Sequence, residues 1–405
     1  MTGRTIVTFN AGSSSLRCAL FDIAGDATEP RLRMSLRGLP EAMIFERRDA
    51  DGAQERTLTP PDTPDDAQQA ARSEMTGRVL DLLAEDDIAA FAHRVVHGGP
   101  DHRGPVAVTA EVLADLEALS PLAPGHQPHN LAAIRDLRDR FPSIPHVASF
   151  DTAFHATLPR NDRIFALPQD MTEAGIRRYG FHGLSYDHVA GVLSQIAPEI
   201  AQGRVIVAHL GHGVSMCALR EGRSIATTMG MTALDGLPMG KRSGALDPGI
   251  VLHLIEDRGM SPAEVRETLY EHSGLLGLSG ISSEMKELLE SDADGARGAV
   301  DFFVHRCHRT IGSLAAALGG LDALVFTGGM GEHAPAIRAR VAEGLGWLGV
   351  AIDPSANRAG ARRLSAGDAR VAVFLVPTDE ERVLARDALA VLTADPDQGD
   401  RNGGG

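Results

Sequence analysis

The sequence predicts an α/β protein made of two duplicated domains, and three observations carry that prediction. Short apolar runs of strand length alternate with stretches of helical periodicity along most of the chain. Glycine-rich turns recur directly after strand-like runs, as NAGSSS, HLGHG and TGGMGEH. Residues 205–219 (VIVAHLGHGVSMCAL) align without gaps on residues 6–20 (IVTFNAGSSSLRCAL), an offset of 199 in a chain of 405. Gly12 falls on Gly211, Cys18 on Cys217 and Leu20 on Leu219. Two unrelated hairpins can look alike by chance, but the shared C-A-L ending and the half-length offset favour duplication.

In chain order the pattern predicts a strand over 4–10, the NAGSSS turn and a second strand over LRCALFDI. Short alternating runs over 31–58 read as further antiparallel strands or loops. A helix over 67–84 follows PPDTPDD, then a strand over 88–96, helices over 111–119 and 129–140, a strand over 144–150 and a helix over 184–198. After the second hairpin come a strand over 224–228, helices over 250–258 and 262–272, and a long helix over 296–318. A strand over 322–327, a glycine turn over 328–333, a helix over 335–344, a last strand in ARVAVFLVP and a helix over 381–393 complete the pattern. The tail over 396–405 is polar and glycine-rich and is expected to be disordered.

Composition narrows the function. Lys+Arg number 39 against 54 Asp+Glu, a net charge of −15, which argues against nucleic acid and anionic membrane as partners. Three cysteines, Cys18, Cys217 and Cys307, without C-x-x-C spacing, exclude a disulfide scaffold and a closed zinc site. The first residues, MTGRTIVTF, have no long apolar stretch, and no apolar run reaches membrane-spanning length. A cytoplasmic location is the expectation.

Chemistry is carried by the turns and by isolated charges. Successive small residues let backbone N–H groups converge on an anion, although one glycine turn alone is more often just a turn. GLPMGKRS lacks the spacing of a P-loop, and no G-x-G-x-x-G opens the first strand. His93 and His97 of HRVVHGG have the spacing of a helical zinc pair, but Val-Val and Gly-Gly favour a strand, which would not form that pair. Arg94 reads as a surface ion-pair residue or as an anion clamp. Asp151, at the end of a strand, is an N-cap or a chemical group, and His182 ahead of a helix is a cap or a ligand. Lys241 and Arg242 offer two cations in a glycine-rich loop. Glu380 of TDEE is a capping acid or a metal ligand. Phosphate turns, Arg clamps, carboxylates for a metal and a histidine together suit phosphoryl transfer, where catalysis is mainly positioning and charge neutralisation.

NAGSSSLR, HRVVHGG, LAPGHQP, FDTAFH, YGFHGLS, HLGHG, MGKRSG, GISS, TGGMGEH and TDEE occur in this order, and together resemble the acetate kinase family, over essentially the whole chain. The resemblance implies two actin-like ATPase (ribonuclease H-like) domains with a central cleft. Their expected bounds are 1–152, completed by a C-terminal helix over 382–395, and 153–381. It implies a homodimer and reversible transfer between ATP and acetate or another short-chain carboxylate, giving acetyl phosphate and ADP, with Mg²⁺ or Mn²⁺. Residue by residue, Asn10 and Glu380 would hold the metal, and Asp151 is the essential acid. Arg94 and Arg242 would clamp carboxylate and phosphoryl, and His182 would stabilise the transition state. Val96, Gly125, His126, Phe181 and Ala233 would line the acyl site. Arg17, His209, Leu210, Gly211, His212, Gly213, Glu284, Met285, Lys286, Gly329, Met330, Gly331, Glu332 and His333 would surround ATP. A carboxylate is already ionised at neutral pH, so Asp151 has no base to be and is read as orienting metal or substrate.

Several positions depart from the family's pattern. Arg17 replaces Lys, His212 and His333 replace Asn, Ala245 replaces Asp, and Glu284-Met285-Lys286 replaces an acid-x-Arg pair. Gly125 replaces Leu and Ala233 replaces Pro, and both changes remove volume from the acyl site. Each methylene buried there is worth about 0.8 kcal/mol, so propionate or butyrate is expected to be accepted unless neighbours fill the space. Two other readings compete. A non-catalytic ATP-binding relative would be consistent with the altered nucleotide loops. A sugar-type kinase would need Asp151 as a base and polar residues where Val96 and Phe181 stand.

Overall fold

In the computed structural model, residues 4–12, 15–23, 29–39, 43–50, 52–59, 63–83 and 87–394 are described. The tail expected to be disordered lies outside them. The chain divides into two compact units, Met1–Ala153 with Asp379–Gly405, and Phe154–Thr378. The second crossing therefore precedes the expected one, and Glu380 and Glu381 belong to the first unit.

The first unit holds an eight-stranded sheet. Its strands are β1 (Thr5–Ala11), β2 (Ser15–Asp22), β3 (Leu32–Arg37), β4 (Met43–Asp49), β5 (Gly52–Leu58), β6 (Ile88–Val95), β7 (Val106–Ala107) and β8 (His146–Phe150), in the order β5-β4-β3-β2-β1-β6-β8-β7. All seven residues of β1 are buried, as a strand covered on both faces requires, whereas β5 at the edge is exposed almost throughout. β1 pairs antiparallel with β2 and parallel with β6, and β6 pairs parallel with β8. The helix Gln127–Arg140 packs against β6, burying Leu131, Ile134 and Leu137. The helix Glu380–Thr393 packs against β1, β6 and β8, which brings the chain's end to the sheet.

The second unit holds a five-stranded sheet. β9 (Arg204–Leu210), β10 (Val214–Arg220), β11 (Arg223–Thr227), β12 (Ala323–Thr327) and β13 (Ala372–Leu375) lie in the order β11-β10-β9-β12-β13. β9 pairs antiparallel with β10 and parallel with β12, and β12 pairs parallel with β13. This repeats the β3-β2-β1-β6-β8 arrangement in both order and direction. The two hairpins differ by one residue in register. Ala11 faces Leu16, four residues lying between them in the chain, whereas Leu210 faces Val214 with three between. A gapless sequence alignment hides that slip.

The expected glycine turn over 328–333 is instead a short helix, Gly328–His333. Its glycines are poor helix formers, but tertiary packing overrides the propensity. Gly328 has φ +78°, and a Cβ there would lie 2.9 Å from the backbone of Leu210, so only glycine lets the helix start this close to the end of β9.

Candidate active site

Parallel neighbours finish side by side, so the C-terminal ends of β1, β6 and β8 converge in the first unit. Asn10 is the penultimate residue of β1, Arg94 that of β6, and Asp151 follows β8, its N–H donating to Val95 O at 3.1 Å. The Arg94 guanidinium grips Asp151 as a fork, Nε to Oδ1 at 3.0 Å and Nη2 to Oδ2 at 2.7 Å. Arg94 Nη1 donates to Asn10 Oδ1 at 3.0 Å. Asn10 Nδ2 donates to Glu380 Oε2 at 2.7 Å and to Glu381 Oε1 at 3.2 Å. Burial works against the Arg94 cation, but Asp151 and then Glu380 overcome it and hold the group above the ordinary arginine range. Burial raises the Glu381 carboxyl and Glu380 adds to the rise, while Arg17 opposes it.

The cap of the last helix is Asp379, not Glu380. Its side chain accepts from Arg382 N, and Arg33 grips it at 3.1 and 2.6 Å. Glu380 is thereby turned toward Asn10. Arg17 lies on β2, opposite Asn10 in register. It belongs to the first unit, whereas the other expected nucleotide residues belong to the second.

The loop after β6 is fixed by two buried amides. Val96 N donates to Asn130 Oδ1 at 3.0 Å, and His97 N donates to Gln127 Oε1 at 3.1 Å. Val96 is itself buried. His126 is the N-cap residue of the helix Gln127–Arg140, and a Cβ added at neighbouring Gly125 would meet no atom within 4 Å. The two histidines of HRVVHGG have structural partners. His93 Nε2 pairs with His146 Nδ1 at 3.0 Å, and His97 Nδ1 accepts from Gly99 N at 2.9 Å. Burial pushes His146 down to about 4 and also lowers His93, so this pair is neutral.

In the second unit, His182 sits at the N-cap of the helix Gly183–Ile196 with φ 59°. Left-handed backbone is costly for a residue with a Cβ, and the neighbours hold it there. His155 Nε2 donates to Phe181 O at 3.0 Å, and His155 Nδ1 accepts from Ser224 Oγ at 2.8 Å. Burial pushes His155 down to about 4, in keeping with that neutral arrangement. The His182 ring stacks on His209 with centroids 4.2 Å apart, and its Nδ1 is 2.8 Å from Ser215 Oγ. His209 Nδ1 in turn is 2.9 Å from Ser185 Oγ. Phe181 is buried.

Arg242 differs from Arg94. Nη1 donates to Ala233 O at 3.1 Å, and among the described residues no carboxylate is bonded to the guanidinium. Burial lowers its pKa, against the distant influence of Tyr270 and Glu271. Lys241, its neighbour, faces Glu271 at 3.8 Å.

The nucleotide-loop candidates also lie in this unit. Gly211, His212 and Gly213 turn between β9 and β10, following His209 and Leu210. His212 is exposed and faces Glu284 Oε1 at 3.5 Å, so a departure from the family's pattern meets the acid that the pattern retains. Met285 and Lys286 open the helix Met285–Glu290, led in by Ser282 Oγ accepting from Glu284 N at 3.0 Å. Gly329, Met330, Gly331, Glu332 and His333 form the short helix after β12. Thr378 fixes that helix at both ends. Its hydroxyl accepts from Gly328 N at 3.1 Å, and its N–H donates to Glu332 Oε1 at 2.9 Å.

Sequence reasoning missed Glu381, Asp379, Arg33, His155, Ser215 and Tyr186. Glu381 and Asp379 left a trace in the acidic run TDEE, and His155 in the motif FDTAFH.

Comparisons with known proteins point to one family. The model of the Acetokinase family matches residues 5–386. The acetate kinase of Rhodopseudomonas palustris is 50% identical over 387 residues, covering 94% of this chain and 96% of that protein. The crystal structure of a propionate kinase from Francisella tularensis superposes with a TM-score of 0.84 at 32% identity, covering 95% of this chain and 98% of that one. That of Porphyromonas gingivalis acetate kinase gives 0.82 at 33% identity, covering 96% and 100%.

Proposed function

The chain belongs to the acetokinase family, and on that premise we propose that it catalyses reversible phosphoryl transfer between ATP and acetate, giving acetyl phosphate and ADP. The observation that carries the residue roles is the contrast between two arginines. Arg94 is held by Asp151, Asn10 and Glu380, so it is oriented before any ligand arrives. Arg242 is half-buried and, among the described residues, is bonded to a carbonyl and a sulfur, so its charge is available to an anion. Arg94 and Arg242 clamp the carboxylate and the transferring group, where fixed cations neutralise charge on the equatorial oxygens. His182 donates to the same group. Asp151 acts by orienting Arg94 and is not a base.

Asn10 and Glu380 would hold a divalent cation. Among the described residues no group of three or more His, Cys, Asp or Glu is gathered for a metal. A few oxygens rather than a cage fit Mg²⁺, which keeps waters and binds substrate phosphates. When bound, the ion would neutralise phosphate charge, and Asn10 and Glu380 are already set toward each other by the 2.7 Å bond.

His209 to Gly213, Glu284 to Lys286 and Gly329 to His333 serve ATP. Val96, Gly125, His126, Phe181 and Ala233 serve the acyl group. The open space at Gly125 supports acceptance of propionate, and the likeness to a propionate kinase is consistent with it. We also propose a cytoplasmic homodimer. Exposed Ile250, Leu252, Leu278 and Trp347 in the second unit support self-association, to be checked by sedimentation.

The test is hydroxylamine trapping of acyl phosphate from Mg-ATP with acetate, propionate or butyrate. Signal with acetate and propionate, abolished by EDTA and restored by Mg²⁺, is expected. A folded protein that hydrolyses ATP without trapping any acyl phosphate would defeat the reading.

A further inference from the structure

We propose that Tyr186 and Ser215 form a buried hydroxyl relay that fixes His182 as the Nε2–H tautomer, and that both are positioning residues for phosphoryl transfer. The transfer part rests on the function proposed above; the tautomer part does not.

The argument is a count of protons. Tyr186 has no solvent exposure, and among the described residues its hydroxyl has one hydrogen-bond partner, Ser215 Oγ. A buried hydroxyl donor left without an acceptor gives up its hydrogen bond to water and gains none in return. The tyrosine proton therefore goes to Ser215 Oγ. Ser215 is equally buried, and its hydroxyl has two partners, Tyr186 and His182 Nδ1 at 2.8 Å. Ser215 carries a single hydroxyl proton. Since Tyr186 already donates to Ser215, that proton goes to His182 Nδ1. Nδ1 is then an acceptor, and a neutral imidazole that accepts at Nδ1 carries its proton on Nε2. The opposite polarity would make Ser215 donate to Tyr186 and orphan the tyrosine proton in the core.

The position of Nε2 agrees with a presented donor. A Cβ on Gly213, in the turn between β9 and β10, would come within 2.8 Å of His182 Nε2. The N–H is thus held beside a backbone that has no side chain to cover it. Stacking on His209 fixes the ring plane, and the left-handed φ of 59° at His182 fixes its base. The relay adds the last variable, which nitrogen bears the hydrogen. With the wrong tautomer, Nε2 would offer a lone pair to an anionic phosphoryl group and repel it.

The test reads the tautomer directly. Protein with nitrogen-15 histidine is examined by long-range proton–nitrogen correlation, with His182 assigned by its loss in His182→Asn. The expected result is a protonated Nε2 and an unprotonated Nδ1 in the wild type. Tyr186→Phe keeps the ring but removes the donor, so a mixture of tautomers is expected. Ser215→Ala is the second variant and should give the same mixture. In both, kcat should fall on the order of tenfold to a hundredfold, as for other groups that orient a ligating histidine, with KM for ATP and acetate within about twofold. Nδ1–H in the wild type overturns the proposal, and so does Tyr186→Phe with tautomer and kcat unchanged. A shifted tautomer with unchanged kcat would keep the relay and remove His182 from the reaction.

Discussion

The two units share a sheet plan but place different side chains at the strand ends. In the first, Asn10 at the end of β1 joins Arg94, Asp151, Glu380 and Glu381 in one charged network. In the second, the position that the repeat pairs with Asn10 is His209, and it is surrounded by rings and hydroxyls rather than by carboxylates and guanidinium: His182, Ser185, Ser215 and Tyr186. Each unit holds one of the two arginines proposed as clamps. The carboxylates around Arg94 raise its pKa, whereas burial lowers that of Arg242. Duplication therefore preserved the scaffold and let the sites diverge. One holds a preassembled charge cluster, and the other holds stacked rings and hydroxyls together with an arginine to which, among the described residues, no carboxylate is bonded.

The comparison can be broken most sharply at the Arg94–Asp151 fork. Asp151→Ala should abolish acetyl phosphate formation and lower stability by about 3–5 kcal/mol in urea titration, because it leaves a buried cation without its partner. Arg242→Ala should separate the two properties. A loss of about 10²–10³ in kcat is expected, with the urea midpoint close to wild type, since no buried ion pair is broken. Equal destabilisation by the two variants would erase the distinction between the units.

Titration gives a smaller effect. His155 is neutral in the fold, its pKa pushed down to about 4 by burial, below the value of the unfolded chain. Below about pH 6.5 the unfolded chain takes up a proton that the folded chain refuses, so this contribution is fully present above that pH and is lost as pH falls toward 4. The loss should run at about 1.4 kcal/mol per pH unit for this residue, and His155→Gln should remove that slope from urea midpoints measured between pH 6.5 and 5. The smallest effect concerns the acyl site. Gly125→Leu should cut the propionate-to-acetate ratio of kcat/KM by about fourfold, the equivalent of one methylene. An unchanged ratio would show that Gly125 does not set chain length.

The repeat made the architecture legible, because two buried hairpins half a chain apart leave the same apolar pattern. Arg94 and Asp151 were legible as residues at strand ends, because the apolar runs before them are visible in the sequence, whereas Asn10 was reached through the family resemblance. The slip in hairpin register was not, because a turn one residue shorter leaves the alignment gapless. Glu381 was overshadowed by its neighbour Glu380, and only the packing of the last helix shows that both reach Asn10. Tyr186 and Ser215 had no signal at all. One is a helix residue, the other a strand residue, and their meeting on His182 depends on tertiary packing between Gly183–Ile196 and β9–β10. Local reading also failed at Gly328–His333, where glycines that look like a turn form a helix under the constraint of Leu210 and Thr378.

The most direct measurement is the reverse reaction, ATP formed from acetyl phosphate and ADP with Mg²⁺, followed for the wild type and Arg242→Ala. The wild type should make ATP, and the variant should lose about 10²–10³ in kcat while unfolding at the same urea concentration. No ATP from a folded wild type, or a variant as active as wild type, would contradict the function and the role given to the second unit.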